Sequence, residues 1–154
     1  MAASRDVMVN VPDKEQVRAH ARALGFDDCR FTGAHPPDHA PFFRRWLADG
    51  RHAGMQWLER QADRRCDPRR VLPGARTILL LAASYHLAEP DRVEAETPRG
   101  RVARYARHRD YHAVLREPLD ALAGHLGDLG GPAVRSVALV DSGPPMERGL
   151  AHRA

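Results

Sequence analysis

Residues 77–85, TILLLAASY, constrain the fold more than any other stretch of this chain. They are apolar at consecutive rather than alternate positions, so a strand here needs cover on both faces of its sheet. Residues 134–140 have the same character and predict a second buried strand. A shorter strand is expected over residues 29–32, closed by Gly33.

Between these runs the apolar spacing changes to that of helices. In residues 12–24, Val17, Ala21 and Leu24 recur at i, i+4 and i+7, with Pro12 suited to the first turn and Gly25 to the stop. Phe42, Phe43, Trp46 and Leu47 give a second helix a wide apolar face, ended by Gly50. A short third helix holds Met55, Trp57 and Leu58. In RRCDPRRVLPGA, residues 64–75, Pro68 and Pro73 argue against regular structure. Residues 87–100, polar and acidic with Pro90 and Pro98, read as a mobile loop.

Residues 110–127 set Leu115, Leu119, Leu122 and Leu126 on one helix face. Pro118 lies inside that helix and is expected to kink or split it. After the turn DSGPP at 141–145, MERGLAHRA reads as a closing helix. Strands separated by helices predict the α/β class, a mixed sheet covered by helices in a single, partial domain over residues 1–154.

With 154 residues, 43% of them hydrophobic, the chain is long enough to bury a real core. No apolar run is long enough to span a bilayer, and Arg5 and Asp6 interrupt any secretory signal. The expectation is a cytoplasmic protein with no membrane partner. Cys29 and Cys66 make neither a disulfide framework nor a CxxC metal pair, and suit a reducing compartment. The net charge of +4 invites phosphate binding. Yet Lys14 is the single lysine among 24 basic residues, an arginine bias that codon usage also produces.

Several residues are candidates for chemistry. Asp141 ends an apolar run just before a Gly-Pro turn, where open α/β sheets bind ligands. A carboxyl group there would act as a general acid if partly buried, or would simply cap the next helix. Spacing alone favours the cap and leaves both readings open. RVARYARHRDYH, residues 101–112, interleaves arginines with Tyr105, Tyr111, His108 and His112, a pattern that binds phosphates and planar groups or forms a solvated helix start. His108 and His112 lack the further ligands of a metal site, so no metal is expected on this chain. Cys66 among arginines is either a reactive thiol or a structural turn residue. No GxGxxG, GxxxxGK[ST] or GxSxG motif occurs.

Four segments, in order, resemble the tRNA epoxyqueuosine reductase family. They are LGFDDCRFTGA at 24–34, HAGMQWLERQADRRCDPRRVLPGARTILLLAASYH at 52–86, RYARHRDYHAVLREPLDAL at 104–122 and VDSGPPMERGLAHRA at 140–154. The resemblance implies an oxidoreductase of queuosine biosynthesis that reduces epoxyqueuosine to queuosine in the anticodon loop of tRNA. It also implies a cobalamin, hence cobalt, held by this amino-terminal region. Two iron–sulfur clusters in a following part would pass electrons from a donor protein. Asp141 matches the family's proton donor, which tips its two readings toward the acid. Arg65, Ala103, Arg104, Met146, Glu147 and Arg148, with Asp141 itself, match family cobalamin contacts.

The match is not complete. Two cysteines cannot ligate a cluster, which needs four thiolates or their equivalents. Pro118 and Pro145 depart from the pattern, and the family sequence continues beyond the segment that ends here at Ala154. The chain is therefore expected to be the cobalamin-binding amino-terminal domain, incomplete at its carboxyl end. The alternatives are a corrinoid-binding module without turnover, or an arginine-rich tRNA-binding protein with no cofactor.

Overall fold

The computed structural model describes residues 12–86, 100, 102–141 and 143–154. The loop expected at 87–100 falls almost wholly outside the described residues. Helix α1 spans Lys14–Ala23, where Asp13 caps the amino end by accepting from the Gln16 amide. Gly25, at φ +96°, releases the chain in a left-handed conformation that a side chain would oppose. Strand β1 covers Asp28–Gly33 and β2 covers Thr77–Ala82. They pair antiparallel, with Cys29 opposite Leu81 and Phe31 opposite Leu79.

That register explains the core. Cys29, Phe31, Leu79 and Leu81 fall on one face of the pair, because alternate residues of a strand share a face. Val17 and Ala21 of α1 pack there with Phe26 and Leu122, all of them buried. Leu115, Leu119 and Leu126 join them from helix α5, Tyr111–Gly130. The leucine spacing that predicts this helix is thus also the spacing that packs it. Proline does not split α5. Pro118 removes one backbone donor, yet the helix, 20 residues long in all, continues past it to Gly130.

The single-domain α/β reading holds, with a sheet of two antiparallel strands among the described residues. Two sequence expectations need correction. Residues 134–140 form no strand; Arg135 instead reaches out to donate to the Pro73 carbonyl at 2.6 Å. None of residues 134–140 is buried, so their apolar composition marks neither a strand nor a core segment here. β2 is likewise half-buried at its central positions rather than enclosed on both faces, because the core packs on the face that carries Leu79 and Leu81.

The arginine-rich segment is more regular than its prolines suggest. After α2 (Ala40–Ala48) and α3 (Gln56–Arg60), helix α4 covers Ala62–Cys66, and Pro68 opens a single 3-10 turn over Pro68–Arg70. Proline is tolerated there because the first turn leaves its amide unpaired anyway. Asp67 caps that turn by accepting from the Arg69 amide.

Helix α6, Glu147–Arg153, packs beside β1 on Leu150, which is buried. Arg153 fixes it. Its guanidinium donates to Thr32 Oγ1 at 3.0 Å, to the Gly33 carbonyl at 2.7 Å and to the Pro36 carbonyl at 3.0 Å. One side chain thus ties the last helix to the end of the first strand.

Candidate functional site

Asp141 is the point on which several distant segments converge. Its backbone is left-handed, with φ +49°, a region that L-residues other than glycine enter at a cost and Asp tolerates better than most. Its carboxylate accepts a hydrogen bond from the Tyr111 hydroxyl at 2.5 Å. Tyr111 is the first residue of α5, and Asp110 sets that start by accepting from the His112 amide at 2.9 Å. The bond to Asp141, with lesser help from burial and nearby negative charge, pushes the Tyr111 phenol up to about 12. Tyr111 therefore keeps its proton near neutral pH and serves Asp141 as a hydrogen-bond donor.

The helix-cap reading of Asp141 fails. Met146 occupies the cap position of α6 and no side chain bonds there, while the aspartate turns away to Tyr111. Asp141 is exposed, so the partial burial on which the acid reading depends is not found in this chain, and its carboxylate is held by Tyr111.

Glu147, at the first position of α6, lies half-buried behind the same turn. Burial pushes its carboxyl up, and the Asp141 charge adds to that. The Asp141 backbone amide and the Arg65 guanidinium pull the other way without cancelling the rise. Arg65 comes from the last turn of α4 and lies over the Trp57 ring, 5.0 Å from its centroid. Its Nε is buried and has no hydrogen-bond partner among the described residues, and the same is true of His52 Nδ1 and Gln61 Oε1. A buried, unmet donor costs free energy that a polar ligand would recover. Arg65 is thus well placed to hold a polar cofactor rim.

The structure thus brings Arg65, Asp141 and Glu147 together. Met146 is half-buried just before Glu147, and Arg148 is exposed just after it. Ala103 precedes the 3-10 turn Arg104–Arg107, which joins the site through its next residue. The Tyr105 ring meets Tyr111 edge-on, with centroids 6.4 Å apart, and Tyr85 meets Tyr105 at 6.3 Å. The sequence presents Tyr111 as one of the rings of RVARYARHRDYH, not as a partner of Asp141. Its signal was present in RDYH, but nothing local says that its hydroxyl reaches a residue 30 positions away.

Other candidates resolve differently. Cys66 is not a reactive thiol: it is 3% exposed, and burial raises its pKa more than Arg44 lowers it. Cys29 is buried and raised in the same way. Among the described residues no group of three or more His, Cys, Asp or Glu side chains could hold a metal ion. A cavity of about 460 Å³ lies beside α2 and α4, lined by Pro37, Arg44, Asp63, Cys66 and Arg70 among others; neither Asp141 nor any of the candidate cofactor contacts borders it. No helix of the described residues is long and apolar enough to cross a membrane.

The family model described as epoxyqueuosine reductase QueG, DUF1730, matches residues 65–142, just over half of the chain. An epoxyqueuosine reductase of Gloeobacter violaceus is 37% identical over 145 residues, which cover 93% of this chain and 44% of that protein. The crystal structure of a selenomethionine-labelled epoxyqueuosine reductase superposes with a TM-score of 0.71 at 29% identity, covering 92% of this chain and 38% of that one. A second, of an epoxyqueuosine reductase with an epoxyqueuosine-modified tRNA stem loop, gives 0.67 at 28% identity, covering 92% and 37%. The chain spans about two fifths of the length of the relatives it matches. The matched segment runs from Arg65 to one residue past Asp141, the two ends of the site built above. By family model and by fold, the chain belongs to the epoxyqueuosine reductase family.

Proposed function

We propose that residues 1–154 are the cobalamin-binding amino-terminal domain of an epoxyqueuosine reductase, acting on tRNA in the cytoplasm, and that Asp141 is its proton donor. The observation that carries this reading is the meeting of three other elements around Asp141: Tyr111 bonds its carboxylate, Glu147 lies beside it, and Arg65 faces Glu147. A solved relative is bound to an epoxyqueuosine-modified tRNA stem loop, which supports the same substrate here.

The residues present fit a corrin ring with its amide side chains. The unpartnered Arg65 Nε would meet an amide carbonyl at the rim. Ala103, Arg104, Met146 and Arg148 would line the remaining edge, and Glu147 would contribute from the helix start. Bound there, cobalamin supplies the reducing equivalents at cobalt that open the epoxide.

The chain's own task is the proton. As the epoxide C–O bond breaks, its oxygen gains negative charge, and a carboxylic acid at Asp141 neutralises it by giving up the proton on Oδ. Tyr111 then donates to the carboxylate left behind, at the 2.5 Å contact it already makes, and holds it in place. Overall, two electrons and two protons convert the epoxide to an alkene and water. The electrons would arrive from a donor protein through iron–sulfur clusters. Both cysteines of this chain are buried in its packing.

Turnover with Asp141→Asn tests the assignment, with the chain joined to a relative's iron–sulfur part. Asn keeps the shape and one acceptor but delivers no proton. Queuosine formation should fall by about two to four orders of magnitude with cobalamin still bound. Near-normal turnover by the Asn variant would remove Asp141 from the mechanism.

A further inference from the structure

Three tyrosines from three separate segments form a ladder that ends at Asp141. Tyr85 meets Tyr105 at an interplanar angle of 71°, and Tyr105 meets Tyr111 at 86°. The two rings farther from Asp141 are open to solvent, the terminal Tyr85 at 62% and the middle Tyr105 at 53%. Edge-to-face contact uses the rim of one ring and the face of the next, so Tyr85, with one neighbour, keeps a face free, and Tyr105 stays more than half exposed between its two.

The rings are exposed although the backbone that carries them is held. The amide before Tyr85, that of Ser84, donates to Asp27 Oδ2 at 2.7 Å, and the amide after it, that of His86, donates to Ser84 Oγ at 3.1 Å. The turn bearing Tyr105 is closed by the Ala106 amide on the Ala103 carbonyl at 2.9 Å and by Arg107 Nε on the Val102 carbonyl at 2.8 Å. Large aromatic rings fixed in water lose apolar contact they would otherwise gain, so a binding partner is the physical expectation.

The surroundings select among partners. Residues 100–112 carry four arginines and two histidines against one aspartate, Asp110, which caps α5. An apolar protein partner prefers a core depleted of charge. Flat rings in a segment of this charge, with Arg107 and Arg109 as its described arginine side chains, suit unpaired bases, whose faces stack while their phosphates meet cations.

We propose that Tyr85 and Tyr105 form a stacking platform for unpaired RNA nucleobases beside Asp141. The proposal rests on the function proposed above: the bases flanking the reacting one would lie on these rings. The platform itself makes no bond and moves no proton.

The test uses an anticodon stem-loop RNA carrying 2-aminopurine in its loop, with affinity followed by anisotropy and stacking by quenching of that base. Tyr85→Ala and Tyr105→Ala should each weaken binding by roughly 5- to 150-fold and relieve the quenching, while the Phe variants stay within about 2-fold of wild type. The dependence of affinity on salt should be unchanged in all four, since no phosphate contact is lost. Wild-type affinity and quenching in the Ala variants would overturn the platform, and so would a wild-type chain that fails to bind the loop. Ala variants that lose cobalamin binding but keep RNA binding would overturn it in favour of a corrin contact. Ring-independent RNA binding with cobalamin binding intact removes the platform alone. Ring-dependent RNA binding without any cobalamin binding removes the proposed function alone.

Discussion

The face that α1 and α5 bury against the strands and the surface around Asp141 are built on opposite principles. The first is apolar and closed: Val17, Ala21, Phe26, Cys29 and Leu122 are each 5% exposed or less. The second is polar and open, and its parts are held by single directed contacts such as Tyr111 on Asp141. Packing is non-directional and tolerates many solutions, whereas a hydrogen bond fixes one geometry between two named atoms. Substitutions in the two regions should therefore separate stability from function.

The largest stability effect is expected at Leu122, which is 3% exposed in the centre of the core. Leu122→Ala should cost about 2–5 kcal/mol, read by denaturant unfolding, against less than about 0.5 kcal/mol for Val137→Ala on the surface. Equal losses at the two positions would erase the distinction between the regions.

Arg153 joins them, since its helix carries Glu147 at one end and is pinned to β1 at the other. Arg153→Ala removes charge-assisted hydrogen bonds to Thr32, Gly33 and Pro36 and should cost about 1.5–3 kcal/mol. Arg153→Lys should recover only part of that, because an ammonium cannot reproduce the fork of guanidinium donors. Full recovery by Lys would mean that charge, not geometry, holds α6.

The smallest effect is a pH dependence. Burial raises the Glu147 carboxyl above its ordinary 4.5, so the folded state binds that proton more tightly than the unfolded state does. Its contribution to stability is then greatest below pH 4.5 and declines as pH rises from there through the folded value. Glu147→Gln should flatten this decline in the melting temperature measured against pH. An unchanged slope would show that Glu147 is not desolvated.

The same contrast governs what the sequence discloses. Helices α1, α2 and α6 and both strands are legible because period and caps are local properties. Gly25 and Gly50 mark helix ends in the sequence as they do in the structure, whereas α1 starts after the Asp13 cap and leaves Pro12 outside its first turn. Residues 134–140 mislead because apolar composition does not by itself say what a segment pairs or packs with, and none of these residues is buried. Helix α4 is hidden by Pro68, whose restriction acts on its immediate neighbours and not on a helix that stops at Cys66. At the site, Asp141 stands out from its position after an apolar run. Its bond to Tyr111 and its proximity to Glu147 and Arg65 are tertiary facts with no local signature.

Cobalamin binding by the chain itself tests the central claim most directly. Titration followed by visible absorbance and by calorimetry should show saturable binding of one equivalent, weaker than that of a full-length relative. Arg65→Met, which keeps the packing on Trp57 but removes the donor at Nε, should weaken it further without lowering the melting temperature. A folded chain that shows no change in absorbance and no heat with cobalamin would contradict the account.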